Sequence, residues 1–473
     1  MGLKEALLEA HALREVADAS PLATFGLYRL MLAALQWAMP LKDLAAWRAV
    51  WKARRFPPDA LDDLARRGRL CFCLFDISSP FYQDATAKPF DNPVSALVPD
   101  LPGATNIAHF RHSSDDRTAL CPACCARSLV ALPAFCTSGG SGKQPSINEA
   151  PPWYFLPCGT SLFQTLMLNL PIPGLLPDWP SAAPSGDVPT WEGHTSGPGP
   201  VGFMEGLTWQ PRRVLLKPTE NTEAKCRLCG APAAVKHKIA FLKGRPPPRD
   251  RCWEDPHVLW RAERGARPSP VRPGREPAAS DWRVAPRAML ADDGPPIVRQ
   301  IRELVRRGDV FGETLPTLGL QSFAFYTRQM RYSHAAVTAW PLPLVILAEP
   351  EVADALRAEL DFAEVLMKDL GKARLWAEAA AHVGRDESWA RWQAALVAFE
   401  AQAERAFGRL IAEVAAAPAD AARRIAAWRR ALRGAAERHC CPASSALRPL
   451  TSLEADRRFR DRLNRAFAAG GNR

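Results

Sequence analysis

The sequence has few of the features that mark membrane or secreted proteins. No secretory leader is visible, because Met1 runs directly into an amphipathic helical pattern. The one long apolar stretch, residues 22–39, is interrupted by Arg29, and no second span follows it. This pattern favours a buried core helix over a membrane span. We therefore expect a cytoplasmic protein with no membrane partner.

The patterns of the common catalytic sites are missing as well. The nine histidines are scattered, with no His-x-x-x-His pair and no His-x-Glu before a cysteine pair, which disfavours a zinc deaminase. The segment TSGGSGK departs from a phosphate-binding loop, which needs glycine at Thr137 and serine or threonine at Gln144. Lys143 stands where a nucleophile elbow needs its last glycine. We therefore predict a protein that is not an enzyme.

The positive charge is concentrated in the middle of the chain. Of the net charge of +11, residues 200–345 contribute +10, with 24 Lys and Arg against 14 Asp and Glu. A local basic excess favours a polyanionic partner, most often nucleic acid. The alternative is a solvated basic surface without a partner. The length of 473 residues and the hydrophobic content of 47% indicate a globular protein of two or three domains.

Four of the twelve cysteines have the spacing of zinc ligands. Cys121 and Cys124 form one Cys-x-x-Cys pair, and Cys226 and Cys229 form a second. Two thiolates at this spacing bind one ion through a tight turn, so two such turns predict one structural Zn2+. Cys125 is an alternative ligand to Cys124, and unrelated buried cysteines or a redox pair are alternatives to the metal site. A closed site of four thiolates leaves no open position for catalysis.

Three further segments are candidates for contact with nucleic acid. Residues 137–143 have little side chain and one cation, which suits approach to a groove or phosphate, although a plain flexible loop explains them equally. Predicted strand ends carry Lys243 and Arg245 in one segment and Arg328 and Gln329 in another. Amide and guanidinium groups at such tips read base edges or wedge between base pairs. The alternative for each tip is a solvated loop.

The order of apolar patterns predicts an α+β fold. Residues 2–70 are predicted to be helical, with breaks at Ser20-Pro21 and Pro57-Pro58, and residues 323–340 to be a loop or hairpin. Four helices are predicted near the C-terminus, over residues 351–382, 387–416, 419–438 and 452–468. We therefore predict a mixed α/β nucleic-acid-recognition domain over residues 1–345 and a four-helix bundle over residues 346–473.

Several stretches together resemble the large subunit of the type I-E CRISPR Cascade complex, the CasA family. They are SPLATFGLYRLMLAAL, LFDISSPFYQD, PGATNIAHF, LCPACCA, LPAFCTSGGSGKQPSIN, LFQTLMLNLP, GFMEGLTWQP, KCRLCG and AFLKGR. GFMEGLTWQP and LPAFCTSGGSGK are the most specific of these. The resemblance covers nearly the whole chain.

This resemblance implies an N-terminal domain with a zinc site, a C-terminal bundle, and recognition of a protospacer-adjacent motif (PAM) in double-stranded target DNA. The family recognises this motif through a glycine loop, a lysine finger and a glutamine wedge. By position the wedge falls on Gln329, and the finger falls on Arg245 with Lys243 beside it. Phe110 and Arg111 fall in the loop that contacts the crRNA handle and the backbone subunits. The glycine loop falls on Thr137, Ser138, Gly139, Gly140, Ser141, Gly142 and Lys143.

The function implied is that of a non-catalytic subunit. It helps to open the DNA duplex so that the crRNA pairs with one strand, and it assembles with the backbone and small subunits of Cascade. A separate helicase–nuclease is recruited to it in trans and performs the cleavage. The alternative is a stand-alone, zinc-stapled regulator that binds duplex DNA without RNA. A nucleic-acid-processing enzyme with a divergent site is a third hypothesis.

Overall fold

The structure is a computed structural model of the 473-residue chain. It describes residues 1–68, 72–98, 118–138, 145–182, 185–193, 199–219, 224–236, 238–249, 251–261, 268–308, 311, 317–328, 331–380, 384–441 and 449–469. The chain divides into two compact units. The first comprises Met1–Pro277, Asp293–Val310 and Leu318–Ala339, and the second comprises Ala278–Asp292, Phe311–Thr317 and Trp340–Arg473. The predicted boundary at residue 345 lies close to the start of the last segment.

The first unit opens with four helices in the region predicted to be helical, although the first helix ends at Leu8 and not at the predicted break at Ser20-Pro21. They are α1 (Leu3–Leu8), α2 (Pro21–Ala38), α3 (Leu44–Ala53) and α4 (Pro58–Gly68). Ser20 caps α2, because its hydroxyl oxygen accepts a hydrogen bond from the backbone N–H of Ala23 at 3.4 Å. Asp43 caps α3 in the same way, accepting from the backbone N–H of Ala46 at 2.8 Å. Each cap satisfies a backbone donor that the first helical turn leaves without an acceptor.

Helix α2 is a buried core helix, as predicted. Arg29, which interrupts its apolar sequence, is 1% exposed. Its guanidinium donates to Asp255 Oδ2 at 2.8 Å and to the carbonyl of Gly206 at 3.2 Å. Burial opposes ionisation of Asp255, but Arg29, His257 and Asn148 hold the pKa of this carboxyl well below its usual range. Among the described residues, no helix combines the length and apolarity needed to span a bilayer.

Short strands and helices complete the first unit. The strands are β1 (Asn92–Pro93), β2 (Ala119–Leu120), β3 (Tyr154–Cys158), β4 (Arg212–Leu215), β5 (Val235–Lys236), β6 (Lys238–Lys243), β7 (Trp260–Arg261) and β8 (Ser269–Pro270). The helices among them are α5 (Pro122–Phe135), α6 (Leu162–Asn169) and α7 (Phe203–Leu207). Strand β6 lies between β1 and β4 and is antiparallel to both. Strands β2 and β5 form an antiparallel pair, as do β7 and β8.

The region predicted as a loop or hairpin consists of two long strands. Strands β9 (Thr317–Arg328) and β10 (Arg331–Pro343) are neighbours in a sheet whose third strand is β3. The register places Phe323 opposite Tyr154. Both rings pack against Phe25 of α2, with centroids 5.0 and 4.7 Å away. The buried helix and this sheet therefore share one aromatic core.

The second unit contains the predicted helices of the C-terminal region. Helix α8 (Val284–Leu290) belongs to this unit, whereas α9 (Pro296–Arg306) belongs to the first. Helix α10 (Leu344–Ala348) precedes four long helices: α11 (Pro350–Ala380), α12 (Arg385–Ala416), α13 (Ala421–His439) and α14 (Pro449–Ala469). Helix α11 packs against α12, α13 and α14. Glu400 of α12 accepts a hydrogen bond from Trp282 Nε1 at 3.0 Å, which ties residues 278–292 to this helical region.

Candidate metal centre and nucleic-acid interface

The four cysteines of the two predicted pairs come together in the first unit. Cys121 is the N-cap of α5, so the first pair lies on the first turn of a helix. The second pair lies on a tight turn that ends at Gly230, whose φ of +76° is accessible to glycine without strain. Pairing of β2 with β5 brings the two turns together, and the backbone N–H of Arg227 donates to the carbonyl of Ala119 at 2.9 Å.

The sulfur positions fit a tetrahedral ion. All four ligand atoms lie within 4.8 Å of one another, and Cys121 Sγ is 3.5 Å from Cys229 Sγ. Four sulfurs around Zn2+ at the usual bond length of about 2.3 Å are about 3.8 Å apart. Cys121, Cys124, Cys226 and Cys229 therefore match the size and chemistry of a Zn2+ site.

The cysteines of the cluster differ in how readily their thiols ionise. Burial opposes ionisation of Cys226, but the backbone N–H groups of Cys121, Cys229 and Leu228 lower the pKa of its thiol to about 7. Burial raises the pKa of the Cys124 thiol, next to which the Arg127 guanidinium donates at 3.0 Å. A positive charge beside several thiolates offsets their mutual repulsion, which a bound cation would remove more fully.

Cys125, the alternative ligand, lies outside the cluster. Its side chain has no exposed surface and packs in the apolar core with Leu129 and Val130. Burial raises the pKa of its thiol to about 12. Because Cys124 is in the cluster and Cys125 is not, the structure resolves the alternative that the sequence leaves open.

The N-terminal end of the glycine segment, residues 137–143, is held by an arginine. Thr137 follows α5, and its carbonyl accepts a hydrogen bond from Arg212 Nη2 at 2.6 Å. Arg212 is 3% exposed and also donates to the carbonyl of Pro211 at 2.9 Å. Burial lowers the pKa of its guanidinium. In the β4–β6 pairing Arg212 lies opposite Lys243, so the start of the glycine segment lies close to one predicted basic tip.

Lys243 and Arg245, which form that tip, differ in their surroundings. Lys243 ends β6 and is exposed. Arg245 is partly exposed, at 23%, and is engaged by two neighbours: its Nη2 lies 2.7 Å from Glu205 Oε1, and its guanidinium carbon lies 3.7 Å from the centroid of the Trp209 ring. Gly244 between them allows a close approach of strands, because a Cβ atom there would come within 2.4 Å of the backbone nitrogen of Arg212.

Glu205 joins two arginines that lie on either side of three prolines. We refer to residues 245–251 as the proline loop. Arg251, at its end, donates to Glu205 Oε1 at 2.9 Å and to Oε2 at 2.8 Å, while Arg245, at its start, pairs with Oε1. The Glu205 side chain has no exposed surface. One buried carboxylate therefore ties both ends of the proline loop to α7.

The motif that contains Glu205 has little space for larger residues. A Cβ atom on Gly206 would come within 2.1 Å of the Trp253 ring, and one on Gly202 within 2.1 Å of the Asp187 carboxyl. Asp187 accepts hydrogen bonds from the backbone N–H groups of Met204 at 2.8 Å and Glu205 at 3.0 Å. The two glycines thus let the carboxylate reach the first turn of α7 and let Trp253 pack against that turn.

The chain that follows the glycine segment is also joined to the proline loop. Asn148 Oδ1 accepts a hydrogen bond from Trp253 Nε1 at 2.8 Å, two residues past Arg251. Asn148 Nδ2 donates to Asp255 Oδ2 at 2.8 Å. Arg212 therefore holds the start of the glycine segment, and Asn148, which follows the segment in sequence, contacts the chain just after the proline loop.

For the remaining predicted contact residues, no described atom shows a contact with this site. Phe110, Arg111 and Gln329 lie outside the described residues, as do Gly139, Gly140, Ser141, Gly142 and Lys143. Ser138 is described and is the second residue of the glycine segment. Arg328 is the last residue of β9. The part that these residues play stays a prediction.

Sequence reasoning missed Glu205, Arg212, Asn148 and Trp253. None of them belongs to a motif with an assigned chemistry, and each acts through a partner far away in sequence. Glu205 carried a signal, since it is the acidic residue of GFMEGLTWQP, one of the two stretches with the most specific resemblance.

Comparison with known proteins decides the family. The model of the CRISPR-associated protein Cse1 family matches residues 1–439. The chain belongs to the Cse1 family. A CasA/Cse1 protein of Thermus thermophilus is 34% identical over 204 residues, which is 41% of this chain and 38% of that protein. That alignment thus spans well under half of the curated relative.

Solved structures have the same fold over most of their length. The crystal structure of CasA from Thermus thermophilus matches with a TM-score of 0.72 at 25% identity, covering 99% of this chain and 95% of that one. A chain of a CRISPR RNA-guided surveillance complex matches with a TM-score of 0.74 at 20% identity, covering 98% of this chain and 94% of that one. The mixed helix and sheet architecture and the helical C-terminal region are those of the family.

Proposed function

We propose that this Cse1-family chain is a non-catalytic large subunit of a type I-E Cascade complex that recognises the PAM of target DNA. Membership of the family supports a place among the other Cascade subunits with a crRNA. One structural observation supports the proposed recognition: Arg212, which lies opposite the exposed Lys243, donates to the carbonyl of Thr137 at the start of the glycine segment. A segment with few side chains that begins beside a basic strand end suits a DNA groove and its phosphates.

The chemistry of duplex opening follows from these parts. The minor groove presents a degenerate pattern of acceptors, so a backbone segment with few side chains would accept several short motifs. Inserting Gln329 between base pairs costs unstacking energy, which phosphate contacts from the basic region would offset. The exposed strand is then free to pair with the crRNA, and that pairing supplies the sequence specificity.

The four cysteines have a structural part in this proposal. Zn2+ held by Cys121, Cys124, Cys226 and Cys229 would act as a cross-link between two distant turns, without an open coordination position. The cross-link lies at the start of α5, the helix that leads directly into the glycine segment. It would therefore fix the origin of that segment.

Further partners complete the proposal. Phe110 and Arg111 contact the crRNA handle and the backbone subunits, and a helicase–nuclease is recruited in trans once the crRNA has paired. The complex acts in the cytoplasm. Cleavage is thus assigned to the recruited enzyme and not to this chain.

The proposal is tested with the reconstituted complex and a target duplex that carries or lacks the PAM. Replacing Gln329 with Ala should slow formation of the RNA–DNA hybrid by at least tenfold on the PAM-bearing target, because the cost of unstacking is about a few kcal/mol per step. Gln393→Ala, on α12, is the matched control and should form the hybrid at the wild-type rate. Both variants should co-purify with the crRNA and the other subunits.

Two outcomes would contradict the proposal. If the Gln329→Ala complex forms the hybrid at the wild-type rate, Gln329 does not act as the wedge. Purification of the chain from its native cells without crRNA and without other subunits would instead favour a stand-alone regulator that binds duplex DNA.

A further inference from the structure

The proline loop carries an exposed cation, Arg249, between its two anchored ends. It contains Pro246, Pro247 and Pro248, followed by Arg249, between the two arginines that bind Glu205. Each proline fixes its own φ, and consecutive prolines favour an extended, stiff chain. With both ends tied to one carboxylate, the loop has little freedom to fold back. Its stiffness thus comes from the sequence and its anchorage from the buried Glu205.

The anchorage is complete enough to occupy both terminal arginines. Arg251 donates to both oxygens of Glu205, and also to the carbonyls of Gly199 at 2.9 Å and Pro200 at 3.0 Å. Arg245 pairs with the same carboxylate and stacks on Trp209, whose indole N–H donates back to the Arg245 carbonyl at 3.3 Å. A guanidinium that leaves such a site would leave a buried carboxylate with less compensation, which is costly. Neither arginine is therefore placed to leave its site and bind a ligand.

Arg249 is in the opposite situation. It is exposed, and it forms no ion pair or hydrogen bond with any described residue. It belongs to the same loop, six positions after Lys243, which is also exposed. An exposed, planar guanidinium on a stiff support is suited to a phosphate, because little backbone freedom is lost on binding.

We infer that Arg249, and not Arg245, is the residue of this loop that binds a DNA backbone phosphate, and that Glu205 and Arg245 are positioning residues that hold the ends of the loop on α7. This inference rests on the proposed function. It moves the basic contact outward by four positions from the residue to which the family resemblance points. Arg245 then contributes through geometry, and Arg249 contributes through charge.

The experiment measures salt dependence with the assembled complex. The probe is a fluorescent duplex that carries the PAM but has no complementarity to the crRNA, so that only protein–duplex contacts contribute. Loss of one phosphate contact lowers the slope of log Kd against log salt by about 0.9. For Arg249→Ala we expect that change, so its disadvantage relative to wild type should shrink about 3.5-fold between 50 and 200 mM salt. Arg275→Ala, another exposed arginine in a proline-containing segment, should keep the wild-type slope.

Two further variants separate charge from positioning. Arg245→Ala should weaken duplex binding while it keeps the wild-type salt slope, because Arg249 still makes the contact. Replacing Pro246, Pro247 and Pro248 together with glycine should do the same, since it removes stiffness and leaves every charge in place. A slope that falls for Arg245→Ala and stays at the wild-type value for Arg249→Ala would overturn the inference. So would loss of crRNA or subunits from the Arg249→Ala complex.

Failure of this inference is distinguishable from failure of the proposed function. A wild-type complex that binds PAM-bearing and PAM-lacking duplexes equally would overturn the proposed function itself. A clear PAM preference that Arg249→Ala leaves unchanged in affinity and slope would overturn the inference alone.

Discussion

The cysteine cluster offers the sharpest test of the structure, through the substitution Cys226→Ser. The substitution removes one sulfur from a group whose members lie within 4.8 Å of one another. A serine hydroxyl is a poor Zn2+ ligand at neutral pH, because it stays protonated where a thiol ionises. We expect the variant to lose its bound metal or to hold it far more weakly.

The cost in stability follows from the length of chain that the ion closes. Cys124 and Cys226 bracket a loop of roughly 100 residues, and closing such a loop by a covalent link stabilises a fold by about 4.7 kcal/mol in the chain-entropy model. A metal cross-link acts through the same restriction of the unfolded chain. For a domain of this size the loss corresponds to a fall in Tm on the order of 10 °C.

The assay combines metal content with thermal unfolding. Wild type should contain one Zn2+ per chain, and a strong chelator should lower its Tm to that of Cys226→Ser. Cys252→Ser is the matched control, since Cys252 is exposed and lies outside the cluster. Cys125→Ser should keep the metal while losing core packing. The reasoning would be refuted if wild-type protein contained no Zn2+ and if Cys226→Ser had the same Tm as wild type.

Two other predictions concern the packing and titration of the first unit. Gly206→Ala should lower the free energy of unfolding by about 1–3 kcal/mol in urea titrations, because its methyl group overlaps the Trp253 ring, whereas Gly274→Ala, where a Cβ has space, should be neutral. An equal cost for both would contradict the packing. Burial holds the pKa of His257 below its ordinary value, so the unfolded chain binds a proton there that the folded chain excludes as the pH falls below about 6.5. Stability should fall by about 1.4 kcal/mol per pH unit in that range; His257→Gln should flatten this slope, and His11→Gln, on the surface, should leave it unchanged.

Local signals in the sequence predicted much of the fold. The starts of α2 and α4 and the bounds of the four long C-terminal helices follow capping residues, prolines and apolar repeats, and they were predicted within a few residues. The end of α1 was predicted wrongly, because the apolar spacing continues to Leu13 whereas the helix ends at Leu8. The strands β9 and β10 were predicted only as a loop or hairpin. Long strand pairs depend on a partner strand, here β3, and a partner is not visible in the local pattern.

Residue type and spacing were enough to predict the cysteine cluster, but they were insufficient to predict which arginine of the proline loop is exposed. A thiol has few structural uses at Cys-x-x-Cys spacing, so the spacing alone predicts that the two pairs come together. Arginine has many uses, and its charge alone does not reveal whether it faces solvent or an internal carboxylate. Arg245 and Arg249 have the same side chain on the same short loop. Tertiary structure separates them, because Glu205 and Trp209 reach the first and not the second.

The sequence by itself determined most of the helical framework, the pairs of cysteines that cluster and the basic character of the middle of the chain, because each of these depends on composition or on short-range order. Tertiary structure decided which cations are engaged internally, which arginine holds the start of the glycine segment, and that Cys124 rather than Cys125 joins the cluster. The physical reason is range: a capping hydroxyl or an apolar repeat acts within a few residues. A buried carboxylate selects its partners from chain segments that only folding brings within hydrogen-bond distance.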